Sequence, residues 1–154
     1  MNYVTITYLL NIVLYAMYFF GRTGGETDVS GIDFFVSGIL SLLLIFAGYL
    51  NARKRMVYRT VLWVFFVNVF LFVCSGVFDQ FGSDFNILST GNSDSFLFTL
   101  ILIVYNGYLF PLTIILEGSG LSLIFPVVLS FILPSLGYWI GKKLHLNKQN
   151  PTEL

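Results

Sequence analysis

The sequence predicts an all-α, polytopic integral membrane protein, a bundle of five hydrophobic helical segments. Of its 154 residues, 56% are hydrophobic and only 10% are charged, whereas soluble domains have roughly 45–50% and about 25%. Five apolar segments each approach the ~20 residues that a helix needs to cross ~30 Å of hydrocarbon. None has a charged residue in its central part, and none alternates with period two as a lipid-facing barrel strand would. A soluble globular domain is therefore excluded.

The first two segments cover 3–20 and 32–50. No Lys or Arg precedes the apolar part of 3–20, and no small-residue cleavage site follows it, so we expect an uncleaved membrane helix and not a signal peptide. The connection at 21–31 is rich in glycine and net acidic. Backbone groups in lipid must be satisfied within the segment, and this requirement favours α-helix for each span.

The third segment, 58–78, lies between a basic stretch at 51–59 and a polar stretch at 79–95. The fifth segment, 121–141, follows a Gly-rich turn and leads into Lys142 and Lys143. We interpret 1–143 as one transmembrane domain, and we expect the polar tail at 144–154 to be disordered.

The fourth segment, 96–116, contains two signals that interrupt a helix. Asn106-Gly107 is a turn pair, and Pro111 lacks the N–H that a helix interior needs. Two interpretations are open. The segment either crosses the membrane as a kinked helix or dips in and returns to the side from which it came.

The basic residues bear on this choice, because Lys and Arg are enriched in cytoplasmic loops. We place 51–59 in the cytoplasm, with a basic anchor formed by Arg53, Lys54, Arg55 and Arg59. Five full crossings would divide the eight basic residues equally between the two sides, as in proteins of dual topology. A returning fourth segment would instead place all of them except Arg22 in the cytoplasm.

Groups that carry chemistry are scarce. Ionisable residues at mid-depth usually mark an ion path or a catalytic centre, and the apolar segments have none. We interpret the carboxylates near the segment ends as solvated loop groups; these are Asp33, Asp79, Asp94 and Glu117. The single Cys74 cannot form an intramolecular disulfide, and His145 has no second metal ligand near it in sequence. We therefore expect no catalytic site, no metal, no cofactor and no nucleic-acid partner.

Small residues mark one face of two segments and predict close helix packing. They are Ser37, Ser41, Gly48 and Ala52 in the second segment, and Ser130, Gly137 and Gly141 in the fifth. The faces either pack on each other within one chain or contact a partner. Three amides within the spans, Asn11, Asn68 and Asn106, either line a polar path or bond neighbouring helices.

From these patterns we expect a protein of a bacterial cell membrane that acts without catalysis. In the leading hypothesis it is an accessory or regulatory subunit that binds another membrane protein, or a second copy of itself, through helix–helix contacts. The alternative is an oligomeric small channel or transporter of dual topology. It rests on the equal division of the basic residues between the two sides and on the three amides. A membrane-embedded enzyme that uses the loop carboxylates is a third candidate.

Overall fold

The computed structural model describes residues 2–23, 29–75, 93–116 and 121–149. Within these ranges the chain forms helices and no β-strand, so the predicted all-α class is confirmed. Three helices are long and apolar enough to cross a membrane, and the number is four if a bent pair is a single broken span; five spans are not confirmed. The helices are α1 (Tyr3–Thr23), α2 (Gly31–Arg53), α3 (Arg59–Cys74), α4 (Ser93–Tyr105), α5 (Phe110–Ile115) and α6 (Leu121–Gln149).

The described part of the third segment is short. Helix α3 has 16 residues, which at 1.5 Å per residue amounts to about 24 Å. This is less than the ~30 Å of a hydrocarbon core. Residues 76–92, which include the end of predicted segment 58–78 and most of the 79–95 connection, lie outside the described residues.

The fourth segment is broken at the predicted turn pair. Helix α4 ends at Tyr105, and a 3₁₀ turn at Gly107–Leu109 leads into α5. The helical parts Leu97–Tyr105 and Gly107–Ile115 meet at a bend of 73°. Pro111 lies in the first turn of α5, where a missing N–H costs no helical bond. Pro111 therefore lies in the first turn of a helix that begins at Phe110, and no separate second interruption is seen there.

The contacts between helices give their directions. The Tyr3 amide donates to Asn51 Oδ1 (2.9 Å), so α1 begins beside the end of α2. The Thr99 hydroxyl donates to the Ser75 carbonyl (3.4 Å), so α4 begins beside the end of α3. Helix α6 runs parallel to α2, since Gly137 lies against Ile45 and Gly141, four residues later, against Tyr49 and Ala52.

Both basic stretches consequently lie at one end of the bundle. The Tyr138 hydroxyl donates to the Met56 carbonyl (2.8 Å), joining the end of α6 to the connection between α2 and α3. We call the end of the bundle that carries 51–59 together with Lys142 and Lys143 the basic end. The opposite end holds the start of α6, where Leu123 packs with Leu71 and Phe72 from the last turn of α3.

The path of the fourth segment follows from these directions. Helices α4 and α6 both begin at the opposite end. The chain from α4 through α5 to α6 thus enters the bundle and returns to the end from which it came. This path is consistent with the second of the two arrangements that the sequence left open, and by length and composition the bent pair fits either a broken span or a re-entrant loop.

Helix α6 is longer than the predicted fifth segment. It continues to Gln149, whereas the sequence predicts a disordered tail that starts at 144. Residues 142–149 contain no Gly or Pro, so nothing in them breaks the helix, and Pro151 disfavours helical geometry at the residue before it. The remaining residues, 150–154, lie outside the described part of the chain.

Polar and apolar side chains are distributed as a membrane requires. Large apolar side chains cover the outside of the bundle, including Met17, Phe35 and Phe70, each at least 60% exposed. The interior holds buried amides, among them Asn11, Asn51 and Asn68, each fully buried. A soluble protein rarely exposes contiguous apolar surface on this scale, and the distribution is consistent with transmembrane helices.

Candidate functional site

The small residues predicted for packing bring α2 and α6 together within the chain. A Cβ atom on Gly137 would lie 1.8 Å from the Ile45 carbonyl oxygen, and one on Gly48 would lie 2.0 Å from the Pro134 carbonyl oxygen. A Cβ on Gly141 would lie 2.9 Å from the Cβ of Ala52. These close approaches are possible only because the glycines have no side chain. The glycines are therefore buried inside the molecule.

The three serines of the predicted faces have different surroundings. Ser37 is buried on α2 and Ser41 is half-buried. Ser130 is fully buried, and its hydroxyl donates to the Val127 carbonyl of its own helix (2.7 Å). The serines thus show no hydrogen bond between α2 and α6 among the described contacts.

A buried hydrogen-bond network lies at the break in the fourth segment. Asn106 Nδ2 donates to Asn68 Oδ1 (2.6 Å) and to the Leu102 carbonyl (3.0 Å). The Tyr8 hydroxyl donates to Asn106 Oδ1 (2.7 Å) and accepts a bond from Asn68 Nδ2 (3.0 Å). The network joins α1 and α3 to the break that directly follows α4. Two of the predicted amides thus bond to one another, and this closed network does not line an open path.

Sequence reasoning missed Tyr8, although the pattern that identifies it is present. Val4, Tyr8, Asn11 and Tyr15 recur at spacings of four, three and four along α1, and all four are buried. This is the spacing of a single helix face. Tyrosine in a membrane segment is usually interpreted as an interfacial anchor. A tyrosine in the interior of the bundle is therefore easily overlooked.

Two polar atoms of this α1 face have no partner in the described structure. The Asn11 amide donates to the Leu40 carbonyl (2.9 Å), but its Oδ1 is buried without a hydrogen bond. The Tyr15 hydroxyl is likewise buried and unbonded. Unsatisfied buried polar groups cost free energy, so neither atom contributes the stabilisation that Tyr8 provides.

An apolar groove runs between α1 and the broken segment. It has a volume of about 180 Å³ and is directly beside the Asn106-Gly107 break. Its lining is almost wholly apolar and contains no charged side chain. Two small residues, Ala16 and Gly107, form part of its wall; the other lining residues are Ile12, Tyr15, Phe19, Phe20, Ile103, Val104 and Phe110.

A charged cluster joins α1 to α2 at the opposite end. Arg22 forms an ion pair with Asp33, and the Tyr18 hydroxyl donates to Asp33 Oδ1 (2.9 Å). The Ser30 amide donates to Asp33 Oδ2 (2.6 Å), which satisfies a free N–H at the start of α2. Asp33 is buried with a partner for each oxygen, so the expectation of a solvated carboxylate is wrong for this residue.

The predicted anchor residues are exposed at the basic end. Arg53, Lys54, Arg55 and Arg59 all project from the surface. The Arg55 amide donates to the Ala52 carbonyl (2.9 Å) and the Met56 amide to the Asn51 carbonyl (3.0 Å), the Schellman pattern of a helix end. This pattern needs a left-handed residue, usually glycine, and here Arg55 takes that conformation with φ 55°.

The other candidate groups form no reactive arrangement in the described ranges. There, no three His, Cys, Asp or Glu side chains approach closely enough to hold a metal ion. Cys74 is half-buried at the end of α3, and His145 is half-buried on α6. Asp79, Glu117 and the side chain of Asp94 lie outside the described part, so the expectation for them stays a prediction.

Comparison with known proteins finds no family model, no curated protein and no solved structure that matches this chain. The candidate features are therefore the groove, the polar network at the break and the basic end, each argued from its own residues.

Proposed function

We propose that this chain is a multi-pass membrane protein that acts by binding, as an accessory or regulatory subunit of a larger membrane assembly. The apolar groove between α1 and the broken segment supports the proposal and is the contact site. Its occupant is a transmembrane helix of a partner protein.

The groove fits a helix for two reasons. Its lining runs along α1 from Ile12 to Phe20, about 12 Å at the helical rise, or roughly two turns of a docked helix. Ala16 stands in its wall, and a small residue lets a second backbone approach closely; Gly107 is already covered by the Tyr15 ring of the same chain. Gly48, Gly137 and Gly141 already pack within the chain, so they are not available to a partner, whereas the groove is open to one.

The proposal includes an orientation. The basic end faces the cytoplasm of a plasma membrane, in accord with the enrichment of Lys and Arg on that side. The groove then lies near the outer half of the bilayer, because Phe19 and Phe20 belong to the last turns of α1 at the opposite end. The partner helix contacts α1 in that half.

Site-specific photo-crosslinking tests the proposal. A photoreactive residue replaces Val13, Met17 or Val104, which are more than half exposed on or beside the groove. Matched controls carry it at Leu42 on α2 and Val73 on α3, which are exposed to the same degree on other faces. We expect one protein-sized adduct from the groove positions and none from the controls.

Two outcomes would contradict the proposal. Adducts with lipid alone at every groove position would mean that acyl chains fill the groove. Equal protein adducts from groove and control positions would mean that crowding in the membrane, and not a site, produces them.

The oligomeric channel or transporter remains a second prediction without a specific observation in its favour. Its support was the equal division of basic residues and the three amides within the spans. The parallel packing of α2 and α6 places both basic stretches at one end, and two of the amides bond to each other.

A further inference from the structure

The basic end combines two parts of the chain that are far apart in sequence. Gly141 of α6 packs against Tyr49 and Ala52 of α2, directly before Lys142 on one helix and Arg53 on the other. Tyr138 bonds to the Met56 carbonyl, which holds the end of α6 against the turn that carries Arg55. The fold therefore assembles one surface from two basic stretches.

Charge on this surface is uncompensated within the described residues. Its basic side chains are all exposed: Arg53, Lys54, Arg55, Arg59, Lys142 and Lys143. The described ranges hold only two carboxylate residues, Asp33 and Asp94, and both belong to the opposite end. At that end Arg22 is paired with Asp33, so the charge separation between the two ends is pronounced.

Aromatic rings surround the basic surface at the level where a headgroup meets the hydrocarbon. Lys142 Nζ lies 5.5 Å from the centre of the Trp139 ring, and the Trp139 and Tyr58 rings are 6.3 Å apart. Tyr and Trp favour this interfacial depth. Rings at that depth would hold the basic groups near the lipid phosphates.

Arg55 holds a position that normally belongs to glycine. Its left-handed backbone is unfavourable for a residue with a Cβ atom, so a guanidinium is present there at a conformational cost. A general requirement for positive charge could be met by any neighbouring position. The cost points to a specific use of this guanidinium.

We propose that the basic end is a composite binding site for the phosphate headgroup of an anionic phospholipid, formed jointly by the ends of α2 and α6. Arg53, Lys54 and Arg55 supply one side and Lys142 and Lys143 the other. The site does not depend on the partner proposed for the groove, which lies at the other end of the molecule.

Lipid titration of the purified full-length chain in a neutral detergent tests the site. Phosphatidylglycerol is expected to raise the unfolding temperature, and phosphatidylcholine is expected to leave it unchanged. Since each basic residue near an anionic surface strengthens binding by about fivefold, Lys143→Gln should weaken the apparent affinity by about that factor. The paired variants Arg53→Gln/Lys54→Gln and Lys142→Gln/Lys143→Gln each remove two charges and should each weaken it by about 25-fold.

Lys148→Gln is the matched control, because it removes the same charge from α6 about 8 Å beyond Lys143 along the axis. A change below twofold supports a localised site. A loss equal to that of Lys143→Gln would overturn it in favour of diffuse attraction.

Arg55→Gly separates folding from binding, since glycine suits the left-handed turn. We expect an unfolding temperature in the absence of lipid that is at least as high as that of the unaltered protein, with an affinity about fivefold lower. Unchanged affinity would contradict the role of Arg55. Inorganic phosphate gives the last comparison: if it reproduces the full effect of the lipid, the ligand is a soluble phosphate and the lipid proposal fails.

Discussion

At the residue scale, Tyr8 is the group that connects the break in the fourth segment to the rest of the bundle. Its hydroxyl makes two side-chain bonds, to Asn106 and Asn68, from a fully buried position on α1. Asn68 belongs to α3 and Asn106 lies at the break directly after α4, so the hydroxyl links α1 to both α3 and the break. The break is thus held by side chains and not by the backbone alone.

Tyr8→Phe should lower the free energy of unfolding by about 1–2 kcal/mol, because interhelical side-chain bonds in membranes contribute about 0.6 and at most about 1.7 kcal/mol each. Tyr15→Phe is the matched control on the same helix, since that hydroxyl is buried without a partner. Its effect should be below about 0.5 kcal/mol or stabilising. Unfolding in mixed detergent micelles measures both, and equal losses would contradict the network.

Arg55→Gly should raise the free energy of unfolding by up to about 1 kcal/mol. A left-handed residue with a Cβ costs about 1–2 kcal/mol, and the greater unfolded-state freedom of glycine returns part of this. The same unfolding measurement applies. Arg55→Ala keeps the Cβ and is the control; a gain as large as that of glycine would refute the backbone explanation.

At the scale of the elements, the contact between α2 and α6 depends on Gly48, Gly137 and Gly141, at each of which a Cβ atom would come closer than 3.0 Å to the other helix. Gly137→Ala would place a methyl group 1.8 Å from the Ile45 carbonyl oxygen, so the helices must separate. We expect a loss of about 3 kcal/mol, at the upper part of the range for overpacking.

Gly38→Ala on α2 is the control for this change. A Cβ at Gly38 meets nothing within 4 Å, so the substitution should be neutral or stabilise by up to about 1 kcal/mol through helix propensity. Unfolding free energies of the two variants are compared directly. Similar losses in both would mean that the α2–α6 packing described above does not form.

Much of the element-scale structure could be predicted from local signals. Apolar length identified α1, α2 and α6, and the Asn-Gly pair identified the break. The end of α6 at Gln149 could not be predicted, because two signals conflict. The polar composition after 144 favours a disordered tail, whereas 142–149 contain no residue that breaks a helix. The sequence left open whether the small-residue faces of α2 and α6 pack on each other or contact a partner, since such a face does not reveal which helix covers it.

At the scale of the whole molecule, the position of the basic residues depends on the path of the fourth segment. Counting charges in the sequence gave two solutions, and only contacts between distant residues distinguish them. Tyr138 bonding to Met56 and Gly141 packing on Ala52 join the ends of α2 and α6. No local pattern contains this information, because it relates residues more than 80 positions apart.

The groove and the Asp33 cluster could not be predicted from local sequence patterns either, because each is formed by residues from more than one helix. The groove exists only where α1 lies beside the bend, and Arg22 neutralises Asp33 across the connection between two helices. Sequence patterns did identify the polar and small residues that could form contacts. Which of them contact each other is determined by the fold.

The most direct test of this account is the membrane side of three single cysteines in a Cys74→Ser background. They replace Lys54, Lys143 and Gly118, and an impermeant thiol reagent is applied to intact cells and to opened membranes. We predict that the first two are protected in intact cells and labelled after opening, while Gly118→Cys is labelled in both. Labelling of Lys143→Cys in intact cells together with protection of Gly118→Cys would show five full crossings and contradict the returning fourth segment.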